Sequence, residues 1–279
     1  MLSGFDHVTV VVHDVEVAVS RYTALLGRGP TWRGEHDELG TRAALFGLSN
    51  SLIELVGPIP DAPEAEGMRA MLASRGEGLH AIAFATEDAG MCSKALRERG
   101  VRAAPPESGE ARALDGSVRS YRTVELSARA TRGINVLAVE RSDSSVLRGG
   151  VPESNGAPHA LDHVVVRTAQ PDAAIALYGE SLGIRLALDR EVKGTRMVFF
   201  RIGHLSLEIV QDPTCADADT LWGLAYRVRD IELAHLQLTA AGFEPSPVRE
   251  GNKPGTRVCS LRQGTCGVPT LILRDPARE

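Results

Sequence analysis

The chain has 279 residues, of which 43% are apolar and 24% charged, with a net charge of −5. That length predicts about two domains with real cores. The interspersed, slightly acidic charge argues against nucleic-acid or anionic-membrane binding, which needs clustered Lys and Arg. No apolar run approaches the ~18 residues of a membrane helix, and no basic-then-apolar leader opens the chain. Cys92, Cys215, Cys259 and Cys266 lack CxxC spacing, so buried free thiols in a reducing cytoplasm are expected.

The first strand is expected over Asp6-His7-Val8-Thr9-Val10-Val11-Val12, an apolar and β-branched run. Asp14 then caps a helix in which Val15, Ala18, Val19, Tyr22, Leu25 and Leu26 recur on one face. Gly27 stops it, as a left-handed cap would. Three strands follow, near Thr31–Glu35, Arg42–Leu48 and Ser51–Val56. A second unit starts at Arg75-Gly76-Glu77-Gly78-Leu79-His80 and repeats the grammar, with Asp88 as cap and Gly100 as stop. A Ser-, Gly- and Pro-rich linker is expected over 142–160, between domains 1–141 and 161–279.

The second half repeats the first. Asp162-His163-Val164 echoes Asp6-His7-Val8, and Tyr178 and Gly183 follow His163 by 15 and 20 residues, as Tyr22 and Gly27 follow His7. Gly40-Thr41-Arg42 precedes Glu54 as Gly194-Thr195-Arg196 precedes Glu208, by 14 residues from each glycine. Trp222, Asp230 and Gly242 keep the spacing of His80, Asp88 and Gly100. Such internal repetition fixes the architecture: an α+β chain of four βαβββ modules, paired into two curved sheets with cup-shaped interiors.

This grammar resembles the vicinal oxygen chelate superfamily, which includes glyoxalases, bleomycin-resistance proteins and extradiol dioxygenases. The residues that carry it are Asp6-His7-Val8, Leu52-Ile53-Glu54-Leu55-Val56, the stretch from Arg75 to Phe84, Leu161-Asp162-His163-Val164 and Leu207-Glu208-Ile209-Val210. The Arg75–Phe84 stretch looks much like methylmalonyl-CoA epimerases. The resemblance implies a divalent metal (Zn, Ni, Co, Mn or Fe) in the cup, with His7 and Glu54 as ligands and a His and a Glu from the second module.

Here the chain departs from the pattern. The spacing to Asp88 sets Ala81 where the second His belongs, and Leu137 falls at the last Glu position. His80 joins as a ligand only if its strand is bulged, because a one-residue slip reverses the face. Glu54 and Glu140 are the candidate proton-moving carboxylates. Trp32, Arg42, His163 and Glu208 are candidate substrate contacts; the repeated Gly-Thr-Arg either turns Arg42 and Arg196 toward the cups as anion contacts or, more often for such a motif, marks a hairpin corner with a solvated Arg. The structural alternatives are a hydrogen-bonded strand histidine at His7, a solvated edge carboxylate at Glu54 and a solvated hairpin corner at each arginine.

Three functions stay open. One is a metal-dependent lyase or isomerase acting on a small oxygenated metabolite, with the metal as Lewis acid. Another is a metal-free protein that binds or sequesters a small ligand in the cup, as bleomycin-resistance relatives do, with Trp32 and Trp222 each supplying a wall. An extradiol dioxygenase is the third, and only His163 fits it, since Gly223 and Leu271 stand where its other iron ligands belong. Each reading expects a small-molecule ligand, neither nucleic acid nor membrane, and leaves a homodimer open.

Overall fold

The computed structural model describes residues 1–141, 149, 152, 154–215 and 218–276. Of the expected linker over 142–160, residues 142–148, 150, 151 and 153 lie outside the described residues. The N-terminal half runs β1 (Leu2–Val11), α1 (Val15–Leu26), β2 (Trp32–His36), β3 (Thr41–Gly47), β4 (Leu52–Pro58), α2 (Glu66–Arg75), β5 (Gly78–Thr86), α3 (Ala89–Glu98), β6 (Glu107–Ala113), β7 (Val118–Leu126) and β8 (Asn135–Arg141). The C-terminal half runs β9 (Ala160–Thr168), α4 (Pro171–Ile175), β10 (Arg185–Val192), β11 (Thr195–Ile202), β12 (Leu205–Gln211), β13 (Thr220–Arg227), α5 (Ile231–Ala240), β14 (Arg249–Glu250), β15 (Arg257–Leu261) and β16 (Thr270–Arg274). Helix α2 has no counterpart in the sequence reading, and α4 continues as a π-helical turn over Ala176–Ser181.

Local chemistry explains the helices. The Asp14 carboxylate accepts the Glu16 and Val17 backbone N–H groups at 2.8 and 3.2 Å, satisfying donors that the first turn of α1 leaves open. The chain leaves α1 at Gly27 with φ +64°, a conformation costly for a residue with a Cβ. Asp88 and Asp230 cap α3 and α5 in the same way. The apolar face of α1 is fully buried, with the Tyr22 ring 6.0 Å from that of Phe46 on β3. Each large side chain on that face stabilises the fold by about 1.5–3 kcal/mol. Truncating Leu26, which has no exposed surface, would cost about 2–5 kcal/mol.

The two sheets differ in closure. The first is a complete barrel in the order β1-β4-β3-β2-β6-β7-β8-β5. The short pairing of Gly34 with Ala113 and of Glu35 with Arg112 closes it. Gly34 is required there, because a Cβ would sit 2.2 Å from the Arg112 carbonyl oxygen. The second is an open sheet, β10-β11-β12-β9-β13-β16-β15-β14, whose end strands do not pair. Both cups were expected to be half-open. The duplicated sequence thus forms one closed cup and one open one.

The halves interlock by reciprocal contacts. Thr131-Arg132-Gly133 precedes β8, and its guanidinium binds the Asp219 carboxylate ahead of β13 at 3.0 and 3.1 Å. Its counterpart, Thr265-Cys266-Gly267, lies against Glu77 and Gly78 ahead of β5. Arg132 and Cys266 both take positive φ, near 57° and 52°. Asn50 adds two hydrogen bonds to the Leu161 backbone, at 2.7 and 2.9 Å. One apolar core runs through both halves.

Candidate functional site

Strand β1 carries a bulge. Phe5 lies opposite Phe84 and His7 opposite Ala83, so Asp6 is an extra residue in the ladder. A bulge re-aims its side chains, and here it brings the neighbours Asp6 and His7 into contact. Asp6 Oδ1 lies 2.5 Å from His7 Nδ1. His7 Nε2 is 3.4 Å from Glu54 Oε2 on the adjacent strand β4. The Thr9 hydroxyl donates to the same Glu54 oxygen at 2.8 Å. Behind them, Arg141 at the end of β8 grips both Asp6 oxygens at 2.7–3.0 Å.

These groups set one another's charge. Burial opposes a charged imidazole, but the Glu54 charge and the hydrogen bonds His7 donates to Asp6 and Glu54 raise His7 from 6.5 to about 9. Burial likewise opposes ionisation of Glu54, but the His7 charge and hydrogen bond, with Thr9, lower it from 4.5 to about 2. Burial is outweighed at Asp6 too, where His7 and Arg141 hold the carboxyl well below its ordinary range. The chain is therefore carboxylate, imidazolium, carboxylate and guanidinium, with every charge paired.

A cavity of about 530 Å³ opens over this chain of charges inside the barrel. Its far wall comes from β2 and β7. The Tyr121 hydroxyl and His36 Nδ1 share a hydrogen bond of 3.0 Å. Burial lowers His36, favouring its neutral form. The Trp32 ring stands 6.3 Å from that of His36, with the Arg119 guanidinium 5.1 Å above its face. Gly34 and Gly109 make room for this wall: a Cβ on either would lie about 2.5 Å from the Trp32 or Tyr121 ring. Leu39, Leu45, Met68, Ala81, Leu137 and Val139 supply much of the apolar lining.

Strand β5 is bulged as well. Thr9 faces Ala81 while Val10 faces Leu79, leaving His80 as the extra residue. Both His80 and Ala81 consequently line the cavity. Asn135 Nδ2 donates to His80 Nε2 at 3.0 Å, however, and His80 also borders a smaller pocket between the halves. Among the described residues, no group of three or more His, Cys, Asp and Glu side chains converges to hold a metal. His7 and Glu54 are brought together, and His80 is not brought to them.

Three candidate side chains lie outside the cups. Glu140 points away from the cavity: along β8, Asn135, Leu137, Val139 and Arg141 line it, and strand alternation turns Glu140 outward. There it accepts the Ala89 N–H at the start of α3, at 2.7 Å, and meets Arg122 at 3.2 Å. Arg42 is likewise outside, because Thr41 and Leu45 line the cavity and Arg42 alternates with them. It binds Glu35 across the ladder at 2.8 and 3.0 Å. Arg196, its counterpart, binds Asp189 and Asp172 on the exterior. Arg141, His36 and Tyr121 were missed by sequence reasoning. Arg141 sat at the edge of the presumed linker, and the other two depend on strand pairings that no local pattern encodes.

The C-terminal half repeats the dyad. Asp162 is the extra residue of a bulge in β9, because His163 faces Ala225 and Leu161 faces Tyr226. His163 Nδ1 lies 2.9 Å from Asp162 Oδ2 and its Nε2 3.2 Å from Glu208 Oε2. Arg227 stands 3.6 Å from Asp162. A cavity of about 520 Å³ covers the pair, with Met197, Phe199, Arg201 and Leu271 in its lining. Trp222 does not border that cavity. It is 41% exposed and lies under the Arg167 guanidinium, 4.2 Å away.

Comparison with known families agrees with this architecture. The glyoxalase-like domain family matches residues 5–153, and the glyoxalase/bleomycin resistance protein/dioxygenase superfamily matches residues 160–277. The chain belongs to the vicinal oxygen chelate superfamily, with one glyoxalase-like domain in each half. Its fold is similar to a hypothetical protein from Staphylococcus aureus, with a TM-score of 0.67, 10% identity, and coverage of 97% of this chain and 99% of that one. It is also similar to a mutant of 4-hydroxymandelate synthase from Streptomyces coelicolor, with a TM-score of 0.69, 14% identity, and coverage of 98% and 92%. A methylmalonyl-CoA epimerase from Streptomyces coelicolor is 26% identical over 51% of this chain and all of its own, with a TM-score of 0.43. No curated protein matches the chain.

The superfamily typically uses divalent metals, and the donor set here does not fit one. A catalytic metal site takes about three protein ligands plus an open position. The N-terminal cup brings His7 and Glu54 together, the two positions the resemblance assigns to further ligands carry Ala81 and Leu137, and His36, His80, Glu64 and Glu125 in the lining do not converge with the pair among the described residues. His7 Nε2 and Glu54 Oε2 also face each other as an ion pair at 3.4 Å.

Proposed function

We propose that this chain is a small-molecule-binding protein of its superfamily, that the N-terminal cup is the binding site, and that the cup works without a resident metal. One observation carries this reading. The His7–Glu54 pair is internally neutralised, while Ala81 and Leu137 occupy the positions that would complete a chelate. The magnitudes favour binding over acid–base chemistry in the unliganded cup. A carboxylate that protonates only at about 2 is a weak base, and an imidazolium at about 9 is a weak acid. Efficient general acids and bases at neutral pH sit near 7.

A metal-free lyase or isomerase is the second reading. Glu54 Oε2 takes both the His7 and the Thr9 contacts, leaving its other oxygen toward the ligand. A ligand that wedges the pair apart would return both groups toward their ordinary values and make Glu54 a competent base.

The test is filling the cup. Calorimetric titration of a small-molecule panel against the wild type and Leu137→Phe should find ligands whose binding is lost in the variant while its circular dichroism is unchanged. Undiminished binding to the filled variant would place the site elsewhere.

A further inference from the structure

We propose that the N-terminal cup selects a small planar ring bearing a cationic hydrogen-bond donor, an ammonium group foremost, and rejects carboxylates. This rests on the reading of that cup as the ligand site. It adds the chemical class of ligand, which the superfamily does not specify.

The acceptor is Glu54. Its Oε2 binds Thr9 and His7, and its Oε1 has no protein partner among the described residues, although the side chain is largely buried in the cavity wall. Glu54 lines the cavity, where a ligand can donate to that oxygen.

The cations near it are already committed. Arg141 is held by both Asp6 oxygens, His7 lies between Asp6 and Glu54, and Arg119 covers the Trp32 face. Glu64 and Glu125 add two more carboxylates to the lining. A ligand carboxylate would therefore meet Glu54 without a cation to receive it. A ligand ammonium would form a charge-assisted hydrogen bond, roughly twice as strong as a neutral one.

The far wall supplies the ring preference. In the barrel order, β7 stands across from β4, so Tyr121 and Arg119 oppose Glu54. Trp32, His36 and Tyr121 form a continuous aromatic wall, and such rings favour stacked or edge-on contact with another ring. A cavity of about 530 Å³ accommodates a substituted single ring.

The experiment uses the full chain carrying Trp222→Phe. That change leaves Trp32 as the one tryptophan, and Trp222 borders neither cup. Trp32 emission is titrated with benzylamine, benzyl alcohol and benzoate, which share a ring and differ in the group presented to Glu54. The expected order of affinity is benzylamine, then benzyl alcohol, then benzoate, with benzylamine favoured over benzoate by at least about tenfold. Glu54→Gln should reduce that ratio to under about threefold, because a neutral acceptor no longer discriminates charge. Leu137→Lys, which adds a cation to the same lining, should reverse the order and gives the answer if Glu54→Gln fails to fold. Benzoate binding as tightly as benzylamine overturns the ligand class and leaves the cup as the site. No response of Trp32 to any of the three probes overturns both.

Discussion

Converting Glu54 to Gln should flatten the pH dependence of stability, and the size of the effect follows from the pair. His7 titrates at about 9 in the folded chain against 6.5 ordinarily. Its pairing therefore stabilises the fold fully below about 6.5, and that contribution is lost as pH rises through about 9. At about 1.4 kcal/mol per pH unit, the His7 contribution should fall by about 2 kcal/mol between pH 6 and pH 8.5. Glu54 has the opposite sign. Its folded value is depressed, so its contribution is present above about 4.5 and lost as pH falls through about 2. Glu54 therefore stays ionised across the measured window; His36 and His80, both lowered by burial, contribute with the opposite sign, and the difference between wild type and variant isolates His7. Glu54→Gln removes the largest charge raising His7 and leaves Asp6, so less than half of the loss should remain. Urea unfolding at the two pH values reads this directly. Equal pH slopes in wild type and variant would refute the claim that the ion pair sets the charge of His7.

Three further outcomes follow from the same geometry. The double variant Ala81→His/Leu137→Glu restores four inward donors and should take up about one zinc ion per chain in equilibrium dialysis. Failure to bind zinc would show that those positions do not converge with His7 and Glu54. Glu140→Gln should cost about 0.3–1 kcal/mol in thermal or urea unfolding, by weakening the charge at the start of α3, and should leave ligand affinity unchanged. Arg42→Ala should leave ligand affinity unchanged and alter stability by at most about 1 kcal/mol, because its exposed pair with Glu35 is screened by water.

Much of the fold was legible because each module repeats a simple grammar. Alternating apolar runs, the Asp14, Asp88 and Asp230 caps and the glycines ending the helices are local signals, and local physics enforces them. The approach of His7 to Glu54 was implied by the family resemblance, which assigned both to one cup. What escaped is set by register between distant strands. The bulges at Asp6 and His80 each turn on one unpaired residue in a ladder, and no periodicity announces one. The slip that seemed to send His80 to the wrong face is the bulge itself, which lets both His80 and Ala81 border the cup. Barrel closure depends on Gly34 meeting Arg112, a contact between residues 78 positions apart. The closure also brings Tyr121 to His36 and thereby builds the aromatic wall. A counterpart to Gly34 at the edge of the second sheet was not visible, so the open and closed cups looked alike in sequence.

The N-terminal cup is expected to function without a resident metal. Elemental analysis of protein purified without chelator, for the wild type and for His7→Ala, tests it. The result expected is far less than one divalent ion per chain, with no difference between the two proteins. One ion per wild-type chain, lost on replacing His7, would contradict it and return the chain to metal-dependent chemistry.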